Sequence, residues 1–366
     1  MKFSISGFFS DISNFFSFKN VLGIDIGTTS IKLVEVARVA DNLLLQNYGI
    51  LETKDYLVRG NEAIQTSALK IVEQDTIKLL KTILSEVKPK AKRVVASLPV
   101  FGAFVVPIEM PALSPQETSK AVGFQARQYI PIPPSEATIN WVKIEDFENQ
   151  SGQSYQRLLL TAIPNDLLTK YKNIFRAVGL TLSAVEIESQ ALIRAFTKPT
   201  DPITAIIDIG AASSSIAIAE KGILRYVGQT DYGGVSLTRS LSRTLDISAT
   251  RAEELKRRRG LKGTGGEYEL STSLMPFLDV IIEECERVRG VYERTYGKKV
   301  EQVILTGGGA ELPGVKSYFE DQIKLNFFDP QTLNYFKYPA ELAPAAKSLN
   351  NQLSVALGLT LKVHSH

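Results

Sequence analysis

The sequence predicts an α/β protein built from two similar halves that face one cleft, and three stretches predict it. Val21 to Val36, VLGIDIGTTSIKLVEV, runs from a short apolar strand ending on Asp25, through the small-residue turn Gly27-Thr28-Thr29-Ser30, into a returning strand from Ile31. Ile206 to Ile218, IIDIGAASSSIAI, repeats the pattern, with Asp208-Ile209-Gly210 matching Asp25-Ile26-Gly27. The two acids stand 183 residues apart, half of the chain, as a duplicated core would place them. Val303 to Val315, VILTGGGAELPGV, is the third stretch: a buried strand that runs into three glycines and then a helix start, where a flat ring could lie on bare backbone.

The remaining elements follow in order. Residues 1–20 place Ile5, Phe8, Phe9, Ile12, Phe15 and Phe16 at helical spacing opposite Ser6, Ser10, Asp11, Ser13 and Asn14. That is an amphipathic segment fit for a membrane interface, a partner groove or the protein's own surface. Asn42 to Leu51 continues as a strand. Gly60 to Leu84 reads as a helix with Ile71, Ile77, Leu80 and Leu84 inward, ended by Pro89. Arg93 to Pro99 is a strand, after which six prolines between Pro107 and Pro134 surround one helix, Pro115 to Tyr129. Asn149 to Ser154 reads as a hairpin tip. Leu158 to Ile163 is a strand, Pro164 to Val178 a helix closed by Gly179, and Leu182 to Glu186 a strand leading into the helix Ser189 to Phe196. Thr197 to Pro202 is a hinge into the second half. There the second hairpin is followed by a strand at Ile223 to Gln229 and helices at Gly234 to Thr244 and Ser248 to Arg259. A glycine-rich loop at 260–270 precedes a long helix, Thr272 to Tyr296, and Ser354 to Leu361 closes the chain as a helix.

Composition narrows the chemistry. At 366 residues, 44% hydrophobic and 22% charged, the chain can bury cores for two or more domains. A net charge of +3 gives no footprint for nucleic acid. The single cysteine, Cys285, excludes an internal disulfide and reads as a core thiol of a helix. The histidines are His364 and His366, so a histidine triad or structural zinc site has almost no material, and any metal should be a hard cation such as magnesium. No run of about 18 apolar residues spans a membrane.

A glycine-led hydroxyl turn can aim N–H groups at a phosphate while an acid at its base holds the companion cation through water. A single such turn is equally an ordinary hairpin; two of them, with the glycine-rich third stretch, make a nucleotide cleft the better reading. Two carboxylates opposed across a triphosphate would repel, and a hydrated magnesium ion resolves that.

In this order the three stretches resemble the phosphate-one, phosphate-two and adenosine motifs of the actin-like ATPase superfamily. Within it the closest resemblance is to the PilM family of type IV pilus assembly, relatives of the division protein FtsA. GIDIGTTSIKLVEV, SLPVFGAFVVPIEMPALSPQE at 97–117 and FQARQYIPIPPSEA at 124–137 carry it. The resemblance implies an actin-like fold, two ribonuclease H-like halves around a nucleotide cleft, with the small IC subdomain of FtsA and PilM. The expected limits are 21–88 and 160–200 for subdomain IA, 89–159 for IC, 201–245 and 300–366 for IIA, and 246–299 for IIB.

It also implies ATP and magnesium as ligands, with Asp25 and Asp208 on the metal through water. Gly27, Thr28, Thr29 and Lys32 would line the first phosphate turn, although Lys32 reads equally as an exposed strand residue. Gly210, Ala211, Ser213 and Ser214 would line the second. Glu253 and Lys256, in the pattern AEELK, would meet the ribose and adenine, or else form an i,i+3 surface ion pair; Arg257 to Arg259 read as a solvated helix end. Gly307, Gly308 and Gly309 would meet the adenosine and α-phosphate, with Leu312 near the base. Glu188, with Glu186 as alternate, occupies the place of the water-positioning residue. Ser189 replaces the proline that follows it in MreB and the chaperone relatives, so binding without rapid turnover is expected. The family docks the short cytoplasmic N-terminal tail of PilN between subdomains IA and IC. By analogy Phe101, Phe104 and Tyr129 would border that groove, or serve as core. An FtsA-like filament protein is the alternative, set back by the ending LTLKVHSH, which lacks a basic amphipathic helix; an actin-fold small-molecule kinase ranks last.

Overall fold

The computed structural model describes residues 20–52, 73–262 and 268–364. The amphipathic segment expected before Asn20, the first part of the helix expected from Gly60, and 263–267 of the glycine-rich loop lie outside the described residues.

Three strands open the described chain: β1 (Asn20–Ile26), β2 (Ser30–Val39) and β3 (Asn42–Glu52). Helix α1 (Glu73–Val87) leads to β4 (Arg93–Leu98), and β5 (Phe104–Pro111), α2 (Pro115–Gln125), β6 (Ala137–Glu148) and β7 (Ser154–Pro164) follow. Helix α3 (Asn165–Ala177), β8 (Thr181–Ile187) and α4 (Glu188–Phe196) complete the first half. The second half holds β9 (Thr204–Ile209), β10 (Ser214–Glu220), β11 (Ile223–Thr230), α5 (Gly234–Thr244), α6 (Ala249–Arg259), α7 (Tyr268–Tyr296), β12 (Gln302–Thr306), α8 (Val315–Ile323) and β13 (Asn326–Phe327). β14 (Phe336–Lys337), α9 (Ala346–Gln352) and α10 (Ser354–His364) end it.

Among the described residues the strands form a six-stranded sheet, β14-β3-β2-β1-β4-β8, a five-stranded sheet, β11-β10-β9-β12-β13, and a three-stranded sheet, β5-β7-β6. Apart from β14, the first two share one topology. An antiparallel meander is followed by parallel strands, β4 and β8 in one and β12 and β13 in the other. Parallel neighbours need crossovers, which is why helices separate these strands in the sequence. The match extends to register: Asp25 pairs with Lys32 across its hairpin as Asp208 pairs with Ser215 across the other.

Helix α2 starts where sequence chemistry demands. Ser114 caps it by accepting from the Glu117 N–H, Glu117 bonds back to Ser114, and Pro115 sits in the first turn.

Tertiary packing moves three expected limits. β4 was expected within 89–159 but lies between β1 and β8 in the six-stranded sheet. The expected limit at 159 falls inside β7, which is the central strand of the small sheet, bonded to β5 and β6 on its two sides and so indivisible. The small unit therefore runs from β5 to β7. Finally, the last part of 300–366, expected in the second half, returns to the first: β14 pairs with β3, and α10 is buried on all sides between β1 and α4. Two glycines permit this. A Cβ on Gly358 would lie 2.0 Å from the Ala191 carbonyl oxygen, and one on Gly23 would lie 2.1 Å from that of Ala356.

Candidate functional site

The two hairpin turns are closed alike. The Gly27 N–H donates to the Ser30 carbonyl at 2.9 Å, and the Gly210 N–H to that of Ser213 at 3.1 Å. Thr28 is exposed and Thr29 half-buried, leaving the first turn open. In the second, Ala211 and Ser213 are half-buried, but Ser214 is buried and its hydroxyl donates to the Tyr232 carbonyl at 2.8 Å. Ser214, expected on the phosphate turn, instead anchors the segment leading to α5. The start of α5 is tied beneath the same turn, Gly234 N–H to the Gly210 carbonyl at 3.0 Å and Val235 N–H to that of Ala211 at 2.8 Å.

Asp25 is buried and doubly held: the Ser97 hydroxyl donates to it at 2.7 Å, and the Lys32 ammonium stands 3.4 Å away. Asp208 and Glu188, both half-buried, share the field of the same lysine. The two expected metal acids and the expected water-positioning acid thus converge on one cation. Burial raises Asp208 to about 6, with Lys32 opposing and Asp25 adding to the shift. Burial also pushes Glu188 well above the usual carboxylate range, helped by Asp25 and Asp208 against Lys32. For Lys32 burial acts downward, yet the attraction of Asp25, Asp208 and Glu188 outweighs it and its ammonium is held above the ordinary value. Lys32 is therefore no exposed strand residue.

The third motif closes on the second. β12 pairs with β9 so that Thr306 lies beside Asp208. Gly307 has φ +85°, and a Cβ there would sit 2.2 Å from the Asp208 Oδ1, so both backbone and space require glycine. A Cβ on Gly309 would strike the Ile209 side chain at 2.2 Å, whereas Gly308 is exposed beside open space. Leu312, expected near a base, is buried in the core of the second half.

Glu186 does not join the cluster. The neighbouring strand residue separates it from Glu188, and its carboxylate is held by Arg194 at 2.5 and 3.0 Å and Lys362 at 2.7 Å. Burial alone would raise it; Lys362 and Arg194 prevail and hold it below the ordinary value. The alternate water-positioning residue is therefore a neutralised structural acid.

Glu253 and Lys256 form the i,i+3 pair, at 2.7 Å, but as a buried one. The Lys256 ammonium also donates to the Gly234 carbonyl and the Thr238 hydroxyl, each at 2.8 Å, and Thr238 donates to Glu253. These two residues fasten α6 to the start of α5, under the second turn. Arg257 is not a freely solvated end either: it bonds Glu253 at 2.7 Å and reaches Glu52 at 3.1 Å, joining the two halves.

Several site residues escape sequence reading. Ser97 could have been found only by aligning VVAS with VILT, since both hydroxyls lie near the end of the strand beside an acid. Tyr171 and Ser189 have buried hydroxyls without hydrogen-bond partners, and Tyr171 feels Glu188 and Asp25 after burial itself.

The residues fit a magnesium nucleotide. Two glycine turns carry acids that share the field of Lys32, and the backbone at Gly308, next to the glycine that abuts Asp208, is open. Among the described residues no group of three or more acid, histidine or cysteine ligands could hold a metal unaided. Asp25 and Asp208 would therefore hold a hard cation through water and phosphate oxygens.

A second concavity lies where the small sheet meets the first half. It is a cavity of about 30 Å³, lined by Thr138, Asn140, Thr161, Glu186, Gln190 and Lys362 and walled by aliphatic side chains. None of the aromatics expected at a partner groove or in the core lines this cavity; Phe104 packs on the core of the small unit, in line with the second of those readings.

Comparisons with known proteins agree with this architecture. The family model described as type IV pilus assembly protein PilM matches residues 23–364. A solved PilM-PilN type IV pilus biogenesis complex superimposes with a TM-score of 0.77 at 21% identity, covering 94% of this chain and 98% of that one. Cell division protein FtsA of Enterococcus faecalis is 23% identical, over 83% of this chain and 78% of that protein. Ethanolamine utilization protein EutJ of Escherichia coli is 25% identical over 49% of this chain, a match that spans only 59% of that relative's length.

Proposed function

This chain belongs to the PilM family of type IV pilus assembly proteins and has their actin-like fold, and from that premise we propose that it is an ATP-binding scaffold that docks the cytoplasmic N-terminal tail of PilN. The observation that supports the partner reading is the cavity between the small sheet and β8, α4 and α10, at the junction of the small unit with the first half, where the resemblance implies that the tail docks. Asn140, Gln190 and the hydroxyls of Thr138 and Thr161 can satisfy the polar groups of a side chain that enters it. Recruitment through PilN would hold the protein at the cytoplasmic face of the inner membrane; self-association and direct membrane contact belong to the same reading.

The nucleotide reading rests on the acids that converge at the two turns. Bound magnesium would neutralise the phosphate charge, and Asp25 and Asp208 would orient it through water. Glu188 would hold a water beside them. Burial and the neighbouring Asp25 and Asp208 push its carboxyl above the usual carboxylate range; with Ser189 where the relatives have proline, slow turnover at most is the reading.

The test is a titration with a synthetic peptide of the PilN N-terminal tail from the same organism. Saturable binding in the micromolar range (about −8 kcal/mol), weakened at least about ten-fold by Asn140→Ala or Gln190→Ala, supports the cavity as the docking site. Binding unaffected by either change would place the partner elsewhere.

A further inference from the structure

The small three-stranded unit is threaded into the first half, yet its buried polar contacts are with the second. Arg225 of β11 is 2% exposed, and its guanidinium donates to the Ile144 carbonyl of β6 at 3.0 Å. Glu220 faces the same guanidinium at 3.1 Å and accepts from Tyr292 at 3.0 Å and Lys298 at 2.6 Å. Lys298 reaches back to Glu145 of β6 at 3.8 Å, and Glu145 is bonded by Arg157 of β7. The Arg157 guanidinium lies over the Tyr296 ring of α7, 4.6 Å from its centre. On the side facing the first half stand the cavity, an exposed Thr138–Asn165 hydrogen bond of 2.8 Å, and apolar packing of Ile144, Leu159 and Ile163 into the core of that half.

A buried charged network holds one relative orientation because any displacement strands a desolvated charge. The contacts toward the first half are apolar or neutral, so sliding along them strands no charge. We propose that the Arg225 clamp makes the small unit a lever of the second half, so that movement of the two halves about a bound nucleotide changes the width of the groove between the small unit and the first half. This rests on the nucleotide and tail readings above and adds the part that couples them. The coupling runs both ways: a tail seated in the groove fixes the small unit, and through the clamp biases the second half toward one position over the cleft. Arg225 acts here as a positioning residue and touches neither ligand.

The test measures distances between spin labels on engineered cysteines; the native Cys285 is buried and would stay unlabelled. Ser151→Cys marks the tip of the small unit, Ser85→Cys the first half and Ser317→Cys the second, all at exposed positions. Adding magnesium ATP should shift the 151–85 distance beyond the width of its nucleotide-free distribution and leave 151–317 unchanged. A fixed 151–85 distance, whether 151–317 moves or not, overturns the lever. In a second arm, magnesium ATP should change tail-peptide affinity at least about five-fold in the unmodified protein and less than about two-fold in Arg225→Met. Lys298→Ala, on the half-exposed rim of the network, gives the same loss should Arg225→Met fail to fold. Full coupling retained in a folded clamp variant overturns the proposal. A tail that does not bind overturns the docking reading alone, because the label distances do not involve it.

Discussion

Asp25 and Asp208 occupy the same register of the same hairpin, each beside a hydroxyl near the end of the neighbouring parallel strand, Ser97 in one half and Thr306 in the other. Two substitutions separate their electrostatics. The residue paired across the hairpin is Lys32 in the first half and Ser215 in the second. The Ser97 hydroxyl donates to the acid in the first half, whereas Thr306 has a buried hydroxyl without a partner in the second. Asp25 is therefore anchored, while Asp208 is raised to about 6 chiefly by burial. Duplication supplied two equivalent carboxylates; their neighbours tied one down by a hydrogen bond and an ion pair and, among the described residues, left the other without either.

Four experiments break or sharpen this contrast. Asp208→Ala should have the largest effect, lowering magnesium-dependent ATP affinity by at least about 100-fold in a folded protein; calorimetric titration showing unchanged affinity would remove the two-hairpin cleft. The pH dependence comes next. The folded pKa of Asp208 lies above its unfolded value, so the stability its proton contributes is present below about 4 and lost as pH rises through about 6. Without nucleotide, Asp208→Asn should thus gain on the unmodified protein by on the order of 2 kcal/mol between pH 4 and pH 7.5 in urea unfolding. A constant difference would show that Asp208 titrates normally.

Lys32→Met should destabilise the nucleotide-free protein by roughly 1–3 kcal/mol at pH 7.5, because three acids lose their shared counter-charge; an unchanged urea midpoint would return Lys32 to a surface role. The smallest and most discriminating comparison sets Ser97→Ala against Thr306→Val. The first breaks a hydrogen bond to a buried carboxylate and should cost about 1.5 kcal/mol, while the second removes an unpartnered hydroxyl and should be nearly neutral. Equal costs would mean that the two hydroxyls do equivalent work.

The cleft was legible because glycine turns, terminal acids and their repetition are local signals, carried by consecutive residues. Glu188 could be placed near the cleft, but its separation from Glu186 depends on which face of β8 and α4 each side chain takes. Ser214 reads as a phosphate-turn residue until Tyr232, eighteen positions on, claims its hydroxyl. Glu253 and Lys256 read as a surface pair or as nucleotide contacts because nothing local reports that Thr238 and Gly234 come to meet them.

By itself the sequence determined the two halves, the hairpins with their acids, the glycine-rich third turn and, except for β5 and β6 of the small sheet and the short elements β13, β14 and α9, most of the helices and strands between them. Those follow from periodicity, turn chemistry and caps, which act over a few residues. Tertiary structure alone decided that α10 returns to the first half, that β7 stays whole within the small sheet, and that Arg225 ties that sheet to the second half. Each of these depends on close approach or charge pairing between segments far apart in the chain. The free energy of such contacts belongs to the pair of surfaces, and neither surface carries it alone.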